Sequence, residues 1–311
     1  MGAAPTDTSE ALDGPDRGLY PIRTVSSLTG VNPVTLRAWE RRYALIEPRR
    51  TPKGHRLYTP EQIRLIQHVV ELLERGVSIG QVKAVLHDEG GSGETTASEI
   101  DAWASMREDL LQAISEFDEG ALDRYYNEAL SLYPVDLVIR HLILPVLRAL
   151  GERWRSAEAG IAEEHFFVVY LRNKLGARFH HLAAHGTGAP LLTACLPGEH
   201  HVTGLLLFAL SAMDAGFRLI MLGADTPLEQ LPPVVKRAGC GAIVLSGSAK
   251  PARGVLTERL PALVRAVEVP VLVGGAVSNA HGESIQSAGA VALGSDIGPA
   301  VRELKRRFQE G

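Results

Sequence analysis

The stretch Pro190-Leu191-Leu192-Thr193-Ala194-Cys195-Leu196-Pro197-Gly198-Glu199-His200-His201-Val202-Thr203-Gly204 decides how the second half of this chain folds. Its first seven residues are an apolar run of strand length, and 201–216 behind it reads as a helix. The turn between them offers an imidazole to a metal or cofactor. Glu199, two residues before His201, takes the proton on one ring nitrogen and leaves the other basic and directed outward. Gly204, three residues after, lets the following helix begin close to a bulky planar group. Taken alone, such a turn is an ordinary surface loop; the surrounding chain gives it weight.

Downstream, strands at 190–196, 218–222, 242–245, 270–273 and 290–292 alternate with helices at 201–216, 228–238, 254–267, 280–288 and 296–308. This alternation predicts a five-stranded parallel sheet wound on both faces. In such sheets ligands sit outside the carboxyl ends of the strands, where the strand order reverses. The loops on that edge carry Glu199-His200-His201, Gly223-Ala224-Asp225-Thr226-Pro227, Ser246-Gly247-Ser248, Gly274-Gly275 and Gly294-Ser295-Asp296. Glycine at a strand end is also ordinary turn chemistry, but five such loops on one edge mark a site. The two cysteines, Cys195 and Cys240, fall in apolar strand-like contexts and read as core residues. A zinc site from His200, His201 and Glu199 has no further His/Cys pair nearby in sequence to complete it.

Upstream, from 99 to about 184, strand signals are missing and helical periodicity takes over. Leu110, Leu111, Ile114 and Phe117 mark one helix, followed by 121–133, 135–155 and 162–181. Four helices with short connections predict an up-and-down bundle spanning 99–187. Trp154 ends one helix and Glu164-His165 opens the next, so the three could meet over a ligand, although each is also an ordinary packing or solvated residue. Residues 89–98, with Gly90, Gly91, Ser92 and Gly93, read as a flexible linker, and 1–18 as a disordered tail.

The amino-terminal part, 19–88, inverts the charge of the whole. The chain carries a net charge of -4, yet Arg37, Arg41, Arg42, Arg49, Arg50, Lys53 and Arg56 face only Glu40 and Glu47 between 35 and 56. A basic end on an acidic protein points to nucleic acid. Residues 22–30 read as a short helix ending at glycine, and Asn32-Pro33 caps and opens a second helix through Tyr43, a helix-turn-helix. The second helix offers Thr35, Arg37, Arg41, Arg42 and Tyr43 to base edges or phosphates. Residues 48–58 form two basic extended arms around Lys53-Gly54, a wing carrying Arg49, Arg50, Lys53, His55 and Arg56. Helices at 60–75 and 78–87 complete the domain.

At 311 residues, with 45% hydrophobic and 22% charged residues, the chain has room for two or three globular domains. No apolar run approaches the roughly 20 residues of a membrane helix, so no membrane association and a cytoplasmic location are expected.

Leu36-Arg37-Ala38-Trp39-Glu40-Arg41-Arg42-Tyr43 followed by Gly54-His55-Arg56-Leu57-Tyr58 resembles the winged-helix domain of MerR-family transcription regulators. The resemblance implies operator duplex DNA as partner, bound by a dimer at two half-sites. Glu199-x-His201-x-x-Gly204, Ser246-Gly247-Ser248 and Gly274-Gly275 resemble the signature of the cobalamin-binding module. That resemblance implies His201 as the lower axial cobalt ligand and Glu199 as its orienting partner. Ser246, Gly274 and Gly275 then line the channel of the cofactor's nucleotide tail, and Gly204, Asp225, Thr226 and Ser248 are further cofactor-binding residues. The combination of modules, with Trp154…Glu164-His165, resembles the CarH/LitR group of light-dependent repressors. It implies adenosylcobalamin as chromophore, Trp154 packed on its upper group with Glu164 and His165 around it, and no enzymatic activity. It further implies a tetramer that holds DNA in darkness and falls apart in light. A light-independent cobalamin sensor is the alternative, and a corrinoid enzyme lacks a barrel-sized substrate domain. One departure stands out: a His follows the cap tryptophan in that group and captures cobalt after illumination, whereas Arg155 occupies the position here. Arginine stays protonated and cannot ligate, which leaves water, His165 or His141 for that role.

Overall fold

The computed structural model describes residues 18–88, 102–154, 159–182, 187–248 and 250–309. The expected linker at 89–98, the tail up to 17 and Arg155 lie outside the described residues. The chain forms two compact units. One comprises the described residues up to Glu108 together with Arg124–Pro134; the other comprises Asp109–Asp123 and the described residues from Val135 onward.

In the first unit, β1 (Tyr20–Pro21) leads into α1 (Ile22–Thr29), which Gly30 closes in the left-handed conformation, φ 71°, with its N–H donated to Ser26 O. The Asn32 side chain then accepts from the N–H groups of Val34 and Thr35 and opens α2 (Pro33–Ala38), with proline in the first turn where no amide is missed. The helix runs on through a wider π-type turn, Trp39–Tyr43, and Ala44 ends it at φ 47°. The wing strands β2 (Arg49–Arg50) and β3 (Arg56–Tyr58) pair antiparallel, with β1 on the other side of β3. A reciprocal capping box, Thr59 with Gln62, starts α3 (Pro60–Glu74), and α4 (Ile79–Asp88) follows.

Two indoles tie this unit to later chain. Trp39, fully buried, donates Nε1–H to Leu132 O at 2.8 Å, at the end of α6 (Glu119–Leu132). Trp103, in α5 (Ala102–Ser115), donates to Leu73 O at 2.8 Å and packs on Tyr133 with ring centroids 4.6 Å apart. Both acceptors belong to the last turn of a helix, where carbonyls lack intrahelical partners.

In the second unit, α7 (Val135–Leu137) continues through a π-type turn, Val138–Ile143, into α8 (Leu144–Arg153), and α9 (Gly160–Leu182) follows. The alternating region then forms β4 (Thr187–Cys195), α10 (Thr203–Asp214), β5 (Phe217–Gly223), α11 (Leu231–Ala238), β6 (Ala242–Ser246), α12 (Leu260–Ala266), β7 (Val271–Gly274), α13 (Ala276–Ala280), α14 (Gly282–Ser287), β8 (Val291–Gly294) and α15 (Ile297–Gln309). The five strands are all parallel, in the order β5-β4-β6-β7-β8, so the expected doubly wound sheet is present. Strand order reverses between β4 and β6, the flavodoxin-like arrangement.

Two of the boundaries that differ from the sequence reading lie at the site. The helix expected from 201 starts at Thr203, because the His201 N–H is held by the Glu199 side chain. The helix expected at 280–288 begins at Ala276, directly after Gly275, and is broken at His281. α10 is buried from Leu205 to Ala212 without a polar face. It lies between the sheet and a layer of α7, α9 and α15, the only setting in which an all-apolar helix is stable in water. No helix among the described residues is long and apolar enough to cross a membrane.

Candidate functional site

The site is built on a buried carboxylate. Glu199, only 4% exposed, accepts at least four hydrogen bonds: its Oε1 from His201 N at 2.7 Å and His201 Nδ1 at 2.8 Å, its Oε2 from Ser248 N at 2.7 Å and Ser248 Oγ at 2.9 Å. A carboxylate so surrounded by donors is held immobile. Because Nδ1–H is committed to it, the other nitrogen of His201, Nε2, is the one with a free lone pair. The ring is 72% exposed, so that nitrogen is presented outward at the reversal point of the sheet. The loops after β4 and β6 are thus fastened together by the acid that aims the histidine.

Other expected residues fall into two groups. Gly204, Ser246, Gly274 and Gly275 line an open slot at the strand ends, about 510 Å³ including its mouth and floored by Phe208 and Val244. Gly275 sits at φ 92°, and a Cβ there would stand 2.3 Å from Gly247 O, so no side chain is possible. A Cβ on Gly204 would meet only Ser246 Oγ at 3.9 Å, which keeps the helix start flat against the slot.

Asp225, Thr226 and Ser248 also form hydrogen bonds within the protein. Asp225 Oδ1 accepts from Gly198 N at 2.7 Å, and Thr226, buried, donates its hydroxyl to Gly223 O at 3.2 Å. These bonds brace the His201 loop. Cys195, beneath the loop, is fully buried, and burial together with the nearby Glu199 pushes its thiol up to about 11. It is a core residue, inert as a nucleophile. Among the described residues no group of three or more His, Cys, Asp or Glu is placed to hold a metal ion. A metal held by a single imidazole and a macrocycle needs no such group, and the outward nitrogen beside a glycine-lined slot fits a corrinoid.

The corner between α8 and α9 holds Trp154, 45% exposed, whose Nε1–H is donated to Glu164 Oε2 at 3.0 Å. His165 is exposed beside it, whereas His141 has its Nε2 sealed from solvent. A second, parallel bracket went unnoticed in the sequence: Arg153 Nη1 pairs with the buried Glu163 at 3.2 Å. Gly160 belongs to the same corner, since a Cβ there would lie 2.4 Å from Arg153 O. The sequence signal was the repeated ten-residue spacing of 153 to 163 and 154 to 164.

On the first unit, the outer face of the second helix presents Arg37, Arg41 and Arg42, with Val34, 60% exposed, in line with them. Thr35 does not belong there. It is fully buried, its backbone N–H capped by Asn32, and this corrects the expectation that it meets bases. On the wing Arg49, Lys53 and His55 are exposed, and Tyr43 is half-buried. Arg50 and Arg56 both pair with Glu40, at 2.7 and 2.5 Å, and Arg56 is only 17% exposed. Burial works to raise the Glu40 pKa, but the hydrogen bonds from Arg56 and Arg50 outweigh it and leave it lowered. The brace is therefore complete above the ordinary carboxylate range and is lost as pH falls through the lowered value. Glu40 fastens wing to helix, a role that its place in a basic run concealed.

Two family models match the chain: MerR HTH family regulatory protein over residues 20–89 and B12 binding domain over 106–178. The HTH-type transcriptional repressor CarH of Myxococcus xanthus is 32% identical over 278 residues, covering 84% of this chain and 90% of CarH. The HTH-type transcriptional repressor CarA of the same organism is 29% identical, covering 86% of this chain and 91% of CarA. Among solved structures, the monomethylamine corrinoid protein of Methanosarcina barkeri superposes with a TM-score of 0.51 at 20% identity, over 65% of this chain and 97% of that one. That last likeness concerns the fold alone.

Proposed function

The chain belongs to the family of MerR-type transcriptional repressors that includes CarH and carries a B12-binding domain, and on that footing we propose that it is a light-responsive repressor using adenosylcobalamin as chromophore. DNA binding, cobalamin binding and transcription regulation follow from membership; the response to light is the further step.

The observation that carries the reading is the Glu199 clamp, which leaves one imidazole nitrogen of His201 outward beside a slot that tolerates no side chain at Gly275. His201 would hold the cobalt of the cofactor. Glu199 fixes its tautomer and aim, with Ser248 as the strut. Gly204, Ser246, Gly274 and Gly275 give the flat wall for the nucleotide tail. Trp154, held by Glu164, shields the upper group, with His165 at its side. When bound, adenosylcobalamin supplies a cobalt–carbon bond that visible light breaks. A tetramer interface biased by whether the space against Trp154 is filled then converts light into loss of operator binding in the cytoplasm.

Protein loaded with adenosylcobalamin in darkness and desalted is expected to stay coloured and to elute as a tetramer. After green light it is expected to elute smaller and release operator DNA. Colourless protein would remove the cofactor reading. Coloured protein whose size and operator affinity ignore light would establish the second reading, a light-independent cobalamin sensor, which Arg155 in place of the capturing histidine favours. Of the substitutes for that histidine, exposed His165 is better placed than His141; bis-imidazole absorbance after illumination should be lost in His165→Ala.

For the DNA surface, Arg41→Glu or Arg42→Glu is expected to abolish operator binding, because reversing a charge on the outer helix face sets repulsion against phosphate. Cofactor absorbance should be unchanged. Retained operator affinity in both variants would overturn the assignment of this helix.

A further inference from the structure

Between the start of α1, the outer face of α2 and the tip of the wing lies an open cavity of about 620 Å³ including its mouth, lined by Ile22, Arg23, Arg37, Gly54, His55 and Arg56. Three guanidiniums and an imidazole converge on it from three separate elements, and no carboxylate is among the lining residues. We propose that this cavity is a dedicated seat for one backbone phosphodiester of the operator, with Arg23 as a principal ligand alongside Arg37, Arg56 and His55. The proposal rests on the DNA-binding reading and deepens it, since Arg23 lies outside the helix and wing from which base and phosphate contacts were expected.

The charge state of the wall supports an anion. Among the described residues neither Arg23 nor Arg37 forms an ion pair. Arg56 is engaged by Glu40 through Nε, and that carboxylate is already shared with Arg50. One acid serving two guanidiniums leaves the cavity with excess positive charge. Cations gathered in a concave wall repel one another, and a phosphate oxygen pair is the ligand that a guanidinium fork matches in geometry.

The wing supplies the rim. Gly54 turns the chain at φ 81°, and Thr51 ties the tip by accepting from His55 N at 3.1 Å through Oγ1 and from Gly54 N at 2.8 Å through its carbonyl. His55 is thereby fixed over the opening while the Arg56–Glu40 pair anchors the strand behind it. A phosphate here carries no base information; it sets the register of the second helix in the groove.

The test uses the full chain and a duplex selected from random sequence. Arg23→Ala is expected to weaken the selected duplex and a scrambled duplex by the same factor, roughly tenfold. It should also lower the slope of log affinity against log salt by about one per bound protomer. Base preference should not change. A single methylphosphonate at the seated position should cost the wild type the same factor and Arg23→Ala little more, because the two changes remove one interaction. Additive losses at every phosphate tested, or an unchanged salt slope, would overturn the seat. Millimolar inorganic phosphate at fixed ionic strength should compete no better than chloride; selective competition would make this a small-anion site and overturn the proposal. Failure of the wild type itself to bind any duplex would instead overturn the DNA reading. Since Arg23 is exposed, an unchanged thermal melt is expected to accompany Arg23→Ala.

Discussion

Glu199→Ala is expected to reduce corrinoid affinity by about 10–100-fold, the range seen when the partner orienting a ligating histidine is removed. The cause is local: four donors, two from His201 and two from Ser248, lose their common acceptor at a position only 4% exposed. Without that acceptor the loop after β4 loses its side-chain tie to the loop after β6, and the imidazole loses its aim. Glu199→Gln tests the electrostatics apart from the packing. Both carboxylate oxygens face donors, so an amide must turn its NH2 toward one pair whichever way it is placed. The amide variant should therefore lose most of what alanine loses. Spectral titration with the cofactor reads the effect; wild-type affinity in either variant would refute the clamp.

Trp39 carries the second large effect. Trp39→Ala removes a fully buried indole from the core of the first unit, and a cavity of that size costs about 3–5 kcal/mol. Trp39→Phe separates the hydrogen bond from the volume, because it keeps an aromatic ring but strands the Leu132 carbonyl, for about 1–3 kcal/mol. In urea unfolding followed by far-UV dichroism, the transition of the first unit should move to lower denaturant in the order phenylalanine, then alanine. The transition of the second unit should hold its midpoint. An unshifted first transition in Trp39→Ala would show that the indole bears no load.

Much of the site was legible because cobalamin chemistry places its demands on neighbouring residues. Glu199, His201 and Gly204 lie within six residues, and a short-range pattern of acid, imidazole and glycine survives in any single sequence. The wing and second helix were legible for the same reason: caps, turns and basic residues act locally. What could not be read was which polar atoms each residue would spend inside the protein. Ser248 reads as a ligand contact, yet its N–H and hydroxyl are both given to Glu199, 49 residues away. Thr35 reads as part of an exposed helix face, yet the turn of α2 sets it inward. Glu40 reads as an opposing charge and is the fastener of the wing. Arg23 lay too far along the chain from the wing for their convergence to be seen.

By itself the sequence determined the kinds of element, their order, and the acid–imidazole–glycine turn at Glu199, His201 and Gly204, because hydrophobic period, caps and turn glycines act over a few residues. The tertiary structure decided the strand order that sets His201 at the reversal between β4 and β6, the Trp39 and Trp103 ties to helix-end carbonyls, and the pairing of Arg153 with Glu163. These are choices among partners distant in sequence. They are settled by which apolar faces pack together and by the cost of leaving a buried donor or acceptor unpaired.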